Sequence, residues 1–163
     1  MLFRSEALRA RGASEAQLDI IGRVGWGPDA KALAAVPGVT LHGYQPMERV
    51  REIVDGADML ISTSHDEGLG LPLLEAQYAG LPVIAPDKPV FREVLGASGV
   101  LIDGADARGA AEKITAFAAS SGWRARGVAS SGANLERWLA LAAADKAKVI
   151  ALIGALARGE DPC

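Results

Sequence analysis

The sequence predicts an α/β fold in which a doubly wound parallel sheet is covered by helices on both faces. Short apolar runs alternate along the chain with segments of helical periodicity, and only a few residues connect them. A glycine turn between one apolar run and the helix behind it is a further indication, because doubly wound folds use such turns beside their ligands.

Five strands are predicted, each from a short run rich in apolar residues: 18–22, 39–42, 59–61, 82–85 and 99–102. Helices are predicted over 4–12, 29–36, 46–56, 72–80, 90–95, 106–119, 123–130 and 135–157. In the third of these helices, four apolar residues recur at helical spacing: Met47, Val50, Ile53 and Val54. The last two segments are predicted as separate helices, in which Trp123 and Trp138 are packing residues.

The composition restricts the class of protein. The chain has 163 residues, enough for one domain with its own core, and half of them are hydrophobic. A net charge of −3 without a long basic run argues against nucleic acid as the partner. The single cysteine, Cys163, excludes an internal disulfide. Neither a signal-peptide pattern nor an apolar stretch near the roughly 20 residues of a membrane span is seen. We therefore expect a soluble cytoplasmic domain.

The stretch from 58 to 86 contains a strand, a glycine turn, a helix and a second strand. Gly68 and Gly70 are expected to form a turn that residues with a Cβ would resist, and Pro72 suits the first turn of the helix. In this layout, four backbone N–H groups are aimed at an anion such as a nucleotide diphosphate: those of Gly68, Leu69, Gly70 and Leu71. The alternative is a tight strand-to-helix turn that binds no ligand.

The residues around this turn match a known signature. The pattern Glu67-Gly-Leu-Gly-Leu-Pro-Leu-Leu-Glu75-Ala, with Gly80-x-Pro82-Val-Ile-Ala behind it, closely resembles the Glu-x7-Glu signature of the group 1 retaining glycosyltransferases of the GT-B fold. Further segments follow in the order of that family: 18–22, 39–44, 93–96 and 135–138. The resemblance covers nearly the whole chain. It implies the C-terminal, Rossmann-like half of such an enzyme, with its nucleotide-sugar site in this stretch.

The two carboxylates, Glu67 and Glu75, flank the turn. Glu75 is expected in the second half of the first helical turn, and the resemblance implies that it binds the ribose hydroxyls. The alternative for Glu75 is favourable charge at the helix N-terminus, worth about 0.3–1 kcal/mol. For Glu67 the resemblance implies a catalytic contact with the donor sugar, where an anion favours developing positive charge, and not a covalent nucleophile. The alternative for Glu67 is a solvated loop acid.

Several other polar residues also have a functional and a structural interpretation. The resemblance implies that the nucleobase passes Tyr44, stacked on it or bonded to the backbone, while a packed tyrosine is the alternative. Glu93 matches a family acid close to the donor pocket, and a surface carboxylate is the alternative. His65 and Asp66 are too few ligands for a metal site, and His65 is assigned no catalytic role.

The family's diphosphate clamp is expected to be missing. Arg23 and Lys31 are interpreted as ordinary loop and helix residues, because they follow the strand that matches the family's second. The family's domain has six strands with the first in the middle of the sheet, whereas five are predicted here. Residues 1–163 are therefore expected to form a partial donor domain. The first strand, which would lie between strands 18–22 and 59–62, and the N-terminal acceptor domain are expected to be absent.

The resemblance implies transfer of a sugar, with retention, from a nucleoside diphosphate sugar to a glycan or lipid-linked acceptor. No cofactor and no metal are expected, since the nucleotide sugar is a substrate and no Asp-x-Asp motif accompanies the site. The expected partners are the donor, the acceptor and the missing N-terminal domain, with peripheral membrane association of the full enzyme. The final helix of the family crosses to the N-terminal domain, so part of 135–157 is expected to be exposed. A sugar-nucleotide epimerase and a non-catalytic domain that binds a nucleotide or a protein stay open as alternatives.

Overall fold

The structure is a computed structural model that describes residues 16–23, 28–65 and 67–159. In chain order, the elements are β1 (Leu18–Ile21), α1 (Pro28–Ala34), β2 (Val39–Gly43), α2 (Met47–Asp55), β3 (Leu60–Ile61), α3 (Leu71–Tyr78), β4 (Val83–Pro86), α4 (Pro89–Leu95), β5 (Gly99–Ile102), α5 (Ala107–Ala119) and α6 (Trp123–Ala157). All five predicted strands are confirmed to within one residue at either end. The helix predicted over 4–12 lies outside the described residues.

All strand pairs are parallel, which confirms the α/β class. The described strands form two sheets, one with the order β1–β2 and one with the order β3–β4–β5. Leu18 is opposite Val39 in the first sheet, and Val83 lies between Leu60 and Gly99 in the second. The described β1 and β3 are therefore not paired with each other. That a further strand lies between them stays a prediction.

The core is built around β4, in which every residue is buried. Because side chains alternate along a strand, its two faces pack against different layers. Val83 and Ala85 join a cluster on the side of α3 and α4 that includes Phe91 and Leu95. Ile84 points to the other side. There it packs with residues of β5 and α5: Ile102, Ala110 and Ile114. Helices on both faces of this sheet explain why β4 is apolar throughout.

The prediction of two helices over 123–130 and 135–157 is wrong, because α6 runs without a break from Trp123 to Ala157. Three of the four residues between the two predicted segments, Ser131, Gly132 and Asn134, have low helix propensity, which favours a break there. In the fold, however, the buried Ser131 and Asn134 find partners in other elements. These tertiary contacts outweigh the local preference. Trp123 packs edge-on against Phe117, so its predicted packing role is confirmed.

Large apolar side chains are exposed along the second half of α6, as expected for part of 135–157. Its exposed large apolar residues are Leu139, Leu141, Val149, Ile150, Leu152, Ile153 and Leu156. No helix in the described ranges is both long enough and apolar enough to cross a membrane.

Two glycines of α6 make a matched pair for measuring how tightly this helix packs. A Cβ added at the buried Gly127 would lie 2.5 Å from Cγ and 2.8 Å from Cβ of Pro82, a rigid ring in the core. A Cβ added at Gly132 would meet nothing within 4 Å. Gly127→Ala should therefore destabilise the fold by about 1–3 kcal/mol through overpacking. Gly132→Ala should stabilise it by about 0.5–1 kcal/mol through helix propensity.

Urea unfolding of the wild type and the two variants measures both changes in the free energy of unfolding. Shifts of the same sign in both variants would show that α6 does not lie against Pro82 in this way.

Candidate functional site

The candidate residues follow the carboxyl ends of parallel strands, which is the edge where open α/β sheets bind ligands. β3 pairs with β4, and the N–H of Ser62 continues that ladder by donating to the carbonyl of Ile84 at 2.8 Å. The chain then leaves the sheet in a loop and enters α3 at Leu71. This loop carries Glu67 and the two glycines of the predicted turn.

Gly70 shapes the turn into α3. It is the residue before the helix, is buried, and has a left-handed backbone with φ of 70°. A Cβ there would also lie 3.3 Å from Cδ1 of Leu73. The requirement for glycine is therefore confirmed at Gly70. It is wrong at Gly68, which is exposed, lies outside the left-handed region and has open space for a Cβ.

The N-terminus of α3 has no side-chain cap among the described residues. The N–H of Leu73 donates to the carbonyl of Gly70 at 2.9 Å, and Pro72 has no N–H to offer. The N–H groups of residues 68–71 are the remaining donors at this end of the helix. They lie where the positive end of the helix dipole favours an anion. The helix ends at Tyr78, and Gly80 is the terminating glycine as predicted: its φ is 75°, and its N–H donates to the carbonyl of Gln77.

The two glutamates occupy different environments. Glu67 is half-buried, and its Oε1 accepts a hydrogen bond from the hydroxyl of Ser64 at 2.8 Å. The loop therefore holds the Glu67 carboxylate by a hydrogen bond, and its contact with the donor sugar stays a prediction. Glu75 is exposed and is the fifth residue of α3. It lies one position beyond the predicted place, because the helix begins at Leu71 and not at Pro72. Since the dipole effect fades beyond the first turn, a purely electrostatic role for Glu75 is weakened.

Tyr44 lies directly after β2 and is 79% exposed, so the alternative of a packed tyrosine is wrong. Before it, the His42 and Asp19 side chains meet across β1 and β2, with 2.6 Å between Nε2 and Oδ1. Glu93, on α4, is also exposed, and its backbone carbonyl accepts a hydrogen bond from Arg137. No contact in the described structure tests the ligand roles predicted for Tyr44 and Glu93, so both roles stay predictions.

The remaining predicted residues lie outside this turn. Arg23 follows β1 and Lys31 lies in α1, and both are exposed, as expected of ordinary loop and helix residues. His65 is exposed in the loop before Glu67, and Asp66 lies outside the described residues.

Residues 3–120 match the family model described as glycosyl transferases group 1. The chain belongs to this family. The match covers both described sheets, the glycine turn and the two glutamates of the signature.

Two curated relatives are similar in sequence to this group 1 chain. The chain is 36% identical over 135 residues to a D-inositol 3-phosphate glycosyltransferase of Xylanimonas cellulosilytica, with 76% of this chain and 32% of the relative covered. It is 37% identical over 90 residues to the serotype-specific mannosyltransferase WbdA of Escherichia coli, with 52% and 11% covered. The chain thus spans about a third or less of the length of these curated relatives.

Solved structures show the same fold. One is the crystal structure of TarM, with a TM-score of 0.62, 22% identity, and 86% of this chain and 31% of that chain covered. Another is the pneumococcal O-GlcNAc transferase GtfA in complex with UDP and GlcNAc, with a TM-score of 0.57 and 22% identity over 86% and 31% of the two chains. At this level of identity the likeness concerns the fold alone.

One ion pair of this group 1 chain is not predicted from the sequence. Nε of Arg92 in α4 and Oδ1 of Asp87, which follows β4, lie 2.5 Å apart. The hydrogen bond from Arg92 lowers the pKa of Asp87, and the same contact raises the pKa of Arg92. Because the folded pKa of Asp87 is lowered, its stabilising contribution is present above the unfolded pKa of an aspartate. It is lost as the pH falls through the folded pKa. The only signal in the sequence is an acid two residues before a proline-initiated helix and a base within that helix.

Proposed function

We propose that this chain carries the donor-binding half of a retaining glycosyltransferase. The full-length protein transfers a sugar from a nucleoside diphosphate sugar to a glycan or lipid-linked acceptor. The observation that carries the proposal is the turn into α3. There, the left-handed Gly70 precedes a helix N-terminus that has no side-chain cap within the described part of the chain. The two glutamates of the signature flank it, Glu67 before it and Glu75 behind it.

Each part of this turn has a chemical task in the proposal. The N–H groups of residues 68–71 bind the diphosphate and stabilise it as a leaving group. Glu75 accepts hydrogen bonds from the ribose hydroxyls. Glu67, oriented by Ser64, stabilises positive charge that develops at the anomeric carbon. Tyr44 offers an exposed ring to the nucleobase, and Glu93 contacts the donor sugar.

The relatives support this assignment at a coarser level. The curated relatives are named as glycosyltransferases and mannosyltransferases, and GtfA is described with UDP and GlcNAc bound. By the same proposal, the nucleotide sugar is a substrate and no cofactor takes part. The enzyme works in the cytoplasm, and its N-terminal part supplies the acceptor site and the cationic clamp on the diphosphate.

Glu75→Ala in the full-length protein tests the ribose contact. It should weaken nucleoside diphosphate binding by about 1.5–3 kcal/mol, the usual range for losing hydrogen bonds to a charged acceptor. Titration calorimetry with UDP, GDP and ADP identifies the nucleotide that the wild type binds and then measures the loss. Glu136→Ala is the matched control, because Glu136 is also an exposed helical glutamate but lies on α6. An unchanged dissociation constant in Glu75→Ala would rule out the ribose role.

A further inference from the structure

Helix α6 reaches α3 through a pair of buried amides. Gln77 on α3 is 3% exposed and Asn134 on α6 is 5% exposed. Nδ2 of Asn134 donates to Oε1 of Gln77 at 2.7 Å, and Nε2 of Gln77 donates to the hydroxyl of Ser98 at 2.7 Å. Buried polar groups with their hydrogen bonds made allow few alternative packings, since any other arrangement leaves them unpaired.

The same stretch of α6 holds the carboxyl end of α4. The carbonyl of Val94 accepts hydrogen bonds from Asn134 at 2.9 Å, from Arg137 at 3.0 Å and from the indole N–H of Trp138 at 2.7 Å. Arg137 also donates to the carbonyl of Glu93 at 2.7 Å. Asn134 therefore contacts both helices that carry exposed glutamates of the proposed donor site, α3 and α4.

Apolar packing alone specifies the rotation of α3 weakly. The helix has apolar residues on its outer side as well as its inner side: Leu71 is 56% exposed and Tyr78 is 65% exposed, whereas Leu73 and Ala76 are buried. A helix that is apolar on most sides can bury several of its faces. Gln77 is the polar residue that distinguishes the inner face. Glu75 lies two residues earlier, about 200° around the helix axis, and so points away from the core.

We propose that Gln77 and Asn134 are positioning residues for the donor site. Their hydrogen bond fixes the rotation of α3, and with it the direction of Glu75, while the contact of Asn134 with Val94 fixes α4 and thereby Glu93. This inference rests on the proposed function for the role of the two glutamates. It assigns to the start of α6 a task in substrate binding in addition to its packing.

The double variant Gln77→Met with Asn134→Leu separates positioning from stability. Replacing both partners of a buried hydrogen bond by apolar side chains of similar shape is often nearly neutral for stability. Val94 keeps Arg137 and Trp138, and Ser98 still donates to the carbonyl of Leu95. The half-buried Arg137 loses Oδ1 of Asn134 as an acceptor but keeps the carbonyls of Glu93 and Val94. We expect the melting temperature to stay close to that of the wild type, while the dissociation constant of the nucleoside diphosphate rises at least tenfold.

Ser131→Ala is the matched control. Ser131 is also buried on α6, but its hydroxyl donates to the carbonyl of Leu81 and not to α3 or α4. Its removal should leave the nucleotide affinity unchanged. Gln77→Met alone is the milder variant, since Asn134 keeps its bond to Val94. It should weaken binding severalfold, and it decides the outcome if the double variant does not fold.

A second measurement needs no ligand. Nitroxide labels at Glu75→Cys and Glu93→Cys, in a Cys163→Ser background, report the distance between α3 and α4 by pulsed electron resonance. We expect a narrow distance distribution in the otherwise wild-type protein and a broader or shifted one in the double variant.

The two proposals fail in different ways. If the full-length wild type binds none of UDP, GDP and ADP, the proposed function is wrong, and the distance measurement still tests the positioning. If the wild type binds a nucleotide, while the double variant and Gln77→Met bind it equally well with an unchanged distance distribution, the positioning role of Gln77 and Asn134 is overturned.

Discussion

Glu67→Gln in the full-length protein is expected to lower the turnover number by about 100-fold, the magnitude seen when one electrostatic contact to a transition state is removed. Glutamine keeps the shape of the side chain and an oxygen that can accept the hydrogen bond from Ser64. The substitution therefore removes the negative charge with little effect on the loop. Binding of the bare nucleoside diphosphate should not change, because Glu67 is assigned to the sugar and not to the nucleotide.

Two measurements check this result: steady-state turnover with the sugar donor, and titration of the nucleoside diphosphate alone. Glu136→Gln, on the exposed side of α6, is the control for loss of a carboxylate elsewhere. Ser64→Ala keeps the charge but removes the hydroxyl that orients it, so its turnover should fall by less than that of Glu67→Gln. Equal losses of turnover and of nucleotide affinity in Glu67→Gln would show that the tasks of Glu67 and Glu75 are wrongly assigned.

The strands and most helices follow from local pattern, because period and glycine or proline boundaries are properties of neighbouring residues. The continuity of α6 does not follow in this way. Ser131 and Asn134 satisfy their buried side chains on Leu81 and Gln77, partners that are 50 and 57 residues away. A single sequence shows three weak helix formers close together, Ser131, Gly132 and Asn134, but it does not show that distant groups bind the two polar side chains. Local propensity is therefore overruled by tertiary hydrogen bonds.

The candidate site, too, is only partly predictable from the sequence. The turn and its two glutamates are visible in the sequence, because their spacing depends on one strand-to-helix connection. Which glycine needs a left-handed backbone is not visible, since both Gly68 and Gly70 fit a turn and only φ distinguishes them. The exposure of Tyr44 depends on how the chain leaves β2, and this too requires the fold. The pair of Asp87 and Arg92 depends on how α4 starts after β4.

The second prediction with a large expected effect concerns the strand that is expected between β1 and β3. β1 uses one edge to pair with β2, and β3 uses one edge to pair with β4, so the described strands leave the other edge of each without a strand partner. The resemblance predicts a strand in this position, contributed by a segment that precedes these residues in the family. Each backbone group left buried and unpaired costs about 1–3 kcal/mol. An open edge also invites pairing with another chain.

Adding the upstream segment of a full-length relative, in cis or as a separate piece, should therefore raise the melting temperature of the 163-residue chain and its nucleoside diphosphate affinity together. Stability rises because a strand would pair with both open edges, and affinity rises because the family's cationic clamp follows that strand. Differential scanning calorimetry and nucleotide titration, with and without the segment, measure the two changes. A segment with its arginine and lysine replaced by glutamine is the control: it should restore stability but not affinity. A 163-residue chain that is already a stable monomer, binds donor at micromolar concentration and transfers sugar would contradict this prediction.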